Sequence, residues 1–240
     1  MSVLTGLART ASRAVGGLAL DASSGLARAA EAARAAITGD TIGPATLRVA
    51  VVILSDHDGP LTTAAAMSPS IDLAGAVLSR ESGIRVRLTG IQVIDEPAPP
   101  RALDPRANQR LLLDDVLGRT KFYRRHAAPV DLASAVVGAP ITVVVVRNID
   151  GRVTGCSLGI SADWVIVQAS LFDNTQPHTY DETVLVHELG HALNLPHVRD
   201  RHNLMFPASS PPGELRGTKL AGWQTAILQA NRHVVPGVVR

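Results

Sequence analysis

The chain has 240 residues, of which 46% are hydrophobic and 18% charged, enough apolar material for one good-sized core and too much for wholesale disorder. Its 23 basic and 21 acidic residues leave a net charge of +2, and only 3% of residues are aromatic, which argues against the basic, aromatic-studded surface of a nucleic-acid binder. The single cysteine, Cys156, excludes an intramolecular disulfide framework and reads as a buried structural residue on a strand.

Residues 1–43 are rich in Ala, Gly, Ser and Arg. No run in them reaches the about 7–15 apolar residues of a secretory signal, so the compartment stays open. The segment reads as an extension, dispensable for the fold, in which Ser23 or Ser24 caps an Ala-rich helix through Glu31 to Ile37. Gly39, Gly43 and Pro44 mark the boundary with a domain over 44–240.

Leu47–Leu54 is an apolar run with β-branched residues, broken only by Arg48, the pattern of a buried strand. Ser55 to Pro60 is a turn. Ile71, Leu73, Ala74, Val77 and Leu78 follow at helical spacing, with Ser70 as a starting cap, and Ile84 to Ile94 alternates as a second strand. Helices are expected over 105–118 and 130–137 and strands at Ile141–Val146, Val153–Ile160 and Trp164–Gln168. The longest uncharged stretch, Leu132–Val146, contains Gly138 and Pro140 and falls short of the ~20 residues of a membrane-spanning helix. The layout is a mixed α/β (α+β) sheet with helices packed on it. His57, His126, His178, His202 and His233 read as surface residues.

A helix starting near Asp181 carries the chemistry: His187-Glu188-Leu189-Gly190-His191-Ala192-Leu193-Asn194-Leu195-Pro196-His197. Four residues apart, His187 and His191 share one helical face and can reach a single ion. His197 reaches the same ion only if the chain turns between them. Pro196 stops the helix, and Asn194, one of the few non-Gly residues tolerant of positive φ, supplies the turn. Three imidazoles leave a fourth position of a tetrahedral Zn²⁺ shell for water, and Glu188 is placed to take that water's proton as general base.

The pattern His-Glu-x-x-His-x-x-Gly-x-x-His resembles the zinc signature of the metzincin metallopeptidases, with Asn194 in place of the Gly. Asn203-Leu204-Met205-Phe206-Pro207 is similar to the Met-turn of the matrixin-like members. Phe206 stands where astacin-like and serralysin-like members have a tyrosine. The resemblance covers about 140–210 by motif and 45–139 by element order. It implies an upper subdomain (44–197) ending at the signature and a small lower one (198–240) with the Met-turn. It also implies an edge strand at Val153–Ile160 lining the cleft, and a pocket wall at Ala208–Leu215. The function it implies is a zinc-dependent endopeptidase acting on protein or peptide substrates, with His187, His191 and His197 on Zn²⁺, Glu188 catalytic, and Met205 and Asn194 structural near the site. A non-catalytic zinc-binding interaction module and a zinc hydrolase of a non-peptide amide remain alternatives. Oligomeric state is left open.

Overall fold

The apolar run at Leu47–Leu54 is the centre of a longer strand, β1 (Ile42–Asp56), in the computed structural model. The structure describes residues 19, 21, 23, 25–26, 30, 42–105, 121–126, 138–149, 155–157, 164–207 and 216–238. A short β2 (Gly59–Pro60) closes a hairpin on the end of β1. Then follow α1 (Ala64–Ser82), β3 (Ile84–Pro97), α2 (Pro100–Leu103), α3 (Lys121–His126), β4 (Ile141–Val146), β5 (Gly155–Ser157) and β6 (Trp164–Gln168). A 3₁₀ turn (Ala169–Phe172), α4 (Val184–Ala192), α5 (Gly222–Ala230) and β7 (Val234–Val238) complete the described elements.

The main path of the sheet runs β3-β1-β4-β6-β5. β3, β1, β4 and β6 are parallel and β5 is antiparallel at the edge. β3 occupies one side of β1 from Ala45 to Ser55, so β4, β2 and β7 share the other side at successive positions. Both faces of the sheet are covered, which is why the centre of β1, Val49–Leu54, and most of β4 are apolar. Leu47, Val49, Val51 and Ile53 pack with α1 and α4, whereas Val52 and Leu54 join Ile94, Leu103, Val144 and Ile166 on the opposite face. The mixed α/β architecture is the one expected.

Several boundaries differ from expectation. The cap of α1 is Thr63, whose Oγ1 accepts from Ala66 N at 3.1 Å, and Ser70 is buried inside the helix. Gly43 and Pro44 are not a linker but part of β1, with Gly43 paired to Gly237 of β7. Ala19, Asp21 and Ser23 are each helical, so Ser23 is not the first helical residue there, while Ser24 and the helix expected through Glu31 to Ile37 lie outside the described residues. Most of the helix expected over 105–118, all but the last part of the Leu132–Val146 stretch, the helix at 130–137 and the pocket wall at Ala208–Leu215 lie outside the described residues, as do both ends of the Val153–Ile160 strand. No described helix is long and apolar enough to cross a membrane.

The segment after the signature is fastened to the end of α1. Gln229 Nε2 donates to Ser82 O at 2.9 Å, Thr225 Oγ1 to Glu81 O at 3.1 Å, and the Glu81 carboxylate accepts from Leu220 N at 3.2 Å. β7 then returns to the main sheet, so the last described strand is not confined to a lower subdomain.

Candidate metal centre

Helix α4 begins where Val184, Leu185 and Val186 enter the core. Asp181, read as its cap, precedes it by three residues. One carboxylate oxygen accepts from Thr183 N at 2.9 Å and Thr183 Oγ1 at 2.6 Å; the other accepts from Arg216 Nη2 at 2.9 Å.

The helix stacks His187 above His191 with their Nε2 atoms 3.1 Å apart, and His197 Nε2 lies 3.0 Å from that of His191. His187 Nδ1 is 2.7 Å from Leu204 O and His191 Nδ1 is 2.8 Å from Leu195 O. A carbonyl only accepts, so each Nδ1 carries the proton and each Nε2 presents a lone pair. Burial is the main force holding the His187 ring neutral, with its pKa lowered to about 2, and the His191 ring likewise, lowered to about 4. The His197 pKa is lowered by partial burial and then by the Arg216 charge. Lone pairs converging on one point need a cation between them, and these rings resist being protonated. Tetrahedral zinc with Zn–N of about 2.0–2.1 Å places ligand nitrogens about 3.3 Å apart, so the spacing and donor chemistry fit zinc. Among the described residues, this is the group of three that can hold a metal ion.

The turn that brings His197 back is a Schellman motif. Leu195 N donates to Gly190 O and Asn194 N to His191 O, both at 2.9 Å, and Asn194 has φ 72°. It is the one positive-φ non-glycine among the described residues, as the spacing of the histidines requires. Its side chain reaches the N-terminal segment: Nδ2 donates to Asp21 Oδ2 at 2.9 Å.

Met205 is fully buried beneath α4. A β-carbon at Gly190 would lie 2.6 Å from its Sδ, so only glycine admits the sulfur there. Asn203 holds the turn, accepting from Met205 N at 2.9 Å and exchanging amide hydrogen bonds with Gln224 of α5 at 2.7 and 3.1 Å.

Glu188 is 5% exposed, and its Oε2 has no hydrogen-bond partner among the described residues. Burial raises its pKa to about 8, opposed by Arg216 and reinforced by Asp181. The edge strand lies over it: a β-carbon at Gly155 of β5 would fall 2.6 Å from Glu188 Oε1. Cys156 is on β5, paired with Ile166, while its side chain lies outside the described part of the structure.

His57, His178 and His202 are exposed. His233 is not a surface residue: it is fully buried just before β7, with Nδ1 2.7 Å from Ala139 O. His126 is half-buried, 3.6 Å from the Glu96 carboxylate. Sequence reading missed Arg216 and Asp21. Arg216 is buried against Asp181 and acts on all three histidines and Glu188; no spacing ties it to the signature.

Residues 149–220 match the matrixin peptidase family. The matrixin match thus spans the edge strand, the signature and the Met-turn, and with the three-histidine group it supports a zinc hydrolase of the metzincin type. No curated protein matches the chain. The fold is similar to that of metalloproteinase-II from Bacteroides fragilis, with a TM-score of 0.52 and 17% identity, over 77% of this chain and 52% of that one. This chain therefore spans about half of the Bacteroides protein. Archaemetzincin from Methanopyrus kandleri aligns at a TM-score of 0.48 and 19% identity, over 78% of this chain and 95% of its own.

Proposed function

We propose that the protein is a zinc-dependent endopeptidase, with His187, His191 and His197 holding the metal and Glu188 as the general base. Zinc bound there supplies Lewis acidity toward a carbonyl oxygen and toward water. The observation that carries the reading is the Glu188 carboxylate: buried, one residue from His187, with Oε2 unpartnered among the described residues. A structural site needs no such group, because leaving a carboxylate buried without a partner is costly.

Glu188 Oε2 takes the proton of the attacking water and returns it to the amide nitrogen as the C–N bond breaks, a role typically contributing ~10²–10⁴-fold. Gly155 leaves room over the carboxylate. Among the described residues β5 pairs only with β6, so its outer edge suits an extended peptide added as one more strand.

The test is cleavage of a peptide library by the wild type and by Glu188→Ala, with zinc content measured for both. Expected is internal cleavage by the wild type and its loss by orders of magnitude in a variant that keeps zinc. A variant losing zinc and activity together would make Glu188 a ligand or a structural residue instead.

A further inference from the structure

We propose that Asp21, in the N-terminal segment, is a positioning residue for the third histidine, acting through Asn194. The inference rests on the three-histidine group binding zinc. His197 depends on a left-handed backbone at Asn194, a conformation that disfavours every residue with a β-carbon. In the metzincin pattern the position is glycine, which adopts that conformation freely but offers nothing to hold. Here the amide of Asn194 donates to Asp21 Oδ2 at 2.9 Å, across 173 positions of sequence.

Asp21 is itself anchored. It is 9% exposed, its Oδ1 accepts from Arg232 N at 2.9 Å, and the Arg232 guanidinium lies 3.8 Å away. Arg232 is buried just before β7, and its carbonyl accepts from Gly138 N at 2.7 Å. Asp21 therefore ties the zinc-binding turn to the strand that closes the sheet. The segment also runs close to α5 at Gly25, where an added β-carbon would stand 3.4 Å from Ala230 Cβ. With its side chain held at the far end, Asn194 keeps the positive φ that aims His197 at the metal. Asn194 thus replaces glycine's freedom with a clamp, and the N-terminal segment supplies the other jaw.

The experiment measures zinc affinity of the full chain by chelator competition, together with the visible spectrum of the cobalt-substituted protein. Asp21→Ala should weaken zinc binding by about tenfold or more, the range seen on losing a group that orients a ligand, and should alter the cobalt bands, which respond to ligand geometry. In the Asn194→Gly background the turn needs no clamp, so adding Asp21→Ala should have little further effect. An isosteric pair covers the case in which Asp21→Ala fails to fold. Asn194→Asp opposes two carboxylates and should lose affinity, and Asp21→Asn added to it restores a donor facing an acceptor and should recover it. Full additivity with Asn194→Gly, or no recovery in the swapped pair, would overturn the proposal. A wild type that binds no zinc would instead sink the metal-site reading on which it rests.

Discussion

Gly190 and Met205 touch across the floor of the site so closely that a methyl group on residue 190 would come within 2.6 Å of the sulfur and 3.3 Å of Cε. The glycine lies between the two helical histidines, and the methionine follows Leu204, whose carbonyl fixes His187. Packing at this contact is therefore coupled to ligand orientation. Gly190→Ala should cost about 1–3 kcal/mol by overpacking, and zinc affinity should fall with it. Thermal melts and zinc competition check both, and an alanine variant with unchanged melting and unchanged zinc would show that the contact yields freely.

The pair of Asp181 and Arg216 is almost wholly buried, at 2.9 Å. Removing one member of a buried pair typically costs about 3–5 kcal/mol, because the remaining charge is stranded. Arg216→Met should show that loss in urea unfolding. Asp181→Asn added to Arg216→Met should regain part of it, since neither charge is then left alone. A double variant as unstable as the sum of the singles would mean that the two act independently.

The zinc signature was the most legible part of the chain, because helical spacing alone puts His187 beside His191. The need for a turn then dictated the backbone at Asn194. The strands of the central sheet were legible for a related reason: covering both faces leaves long apolar runs such as Leu47–Leu54 and Ile141–Val146. Long-range polar contacts left no such trace. Asp21 and Arg216 are single charged residues with no periodicity around them, and only the folded chain brings them to the site, across 173 positions to Asn194 in one case and 35 to Asp181 in the other. His233 misled for the opposite reason, since an isolated histidine near a strand looks the same in sequence whether it faces water or a carbonyl.

Metal-free protein should be most stable near pH ~6.5. His187 and His191 have folded pKa values of about 2 and about 4, below the 6.5 of an unfolded histidine. As pH falls below about 6.5 the unfolded chain gains protons that the fold refuses, so stability drops. Glu188 acts in the other direction: its folded pKa of about 8 exceeds the unfolded 4.5, so stability declines as pH rises through that window. Below about 6.5 the histidines outweigh this single carboxyl. Denaturant titration of chelator-treated protein should trace both limbs. Glu188→Gln should flatten the alkaline one, and an alkaline limb unchanged in that variant would assign it to other groups.

Deleting residues 1–40 was expected from composition to leave the fold untouched. The buried Asp21 now points the other way. The truncated chain should melt lower and hold zinc more weakly, and the zinc deficit should be smaller when Asn194→Gly is present. Wild-type melting and zinc content in the truncated chain would show that the segment adds nothing to the site.

One strand, β1, makes hydrogen bonds to β2, β3, β4 and β7. Its first residues pair with β7 at Ile42↔Val238, bringing together segments about 190 residues apart, so this pairing carries the largest loop-closure entropy among the described strand pairs. Such contacts are rewarded late in folding. The hairpin with β2 and the parallel pairing with β3 can assemble while β7 is still unattached. Arg232, which leads into β7, is also the residue that grips Asp21. Loop-closure entropy thus falls most heavily on the pairing whose neighbour, Arg232, holds Asp21, so the contact that braces the metal-binding turn belongs to the longest-range part of the sheet.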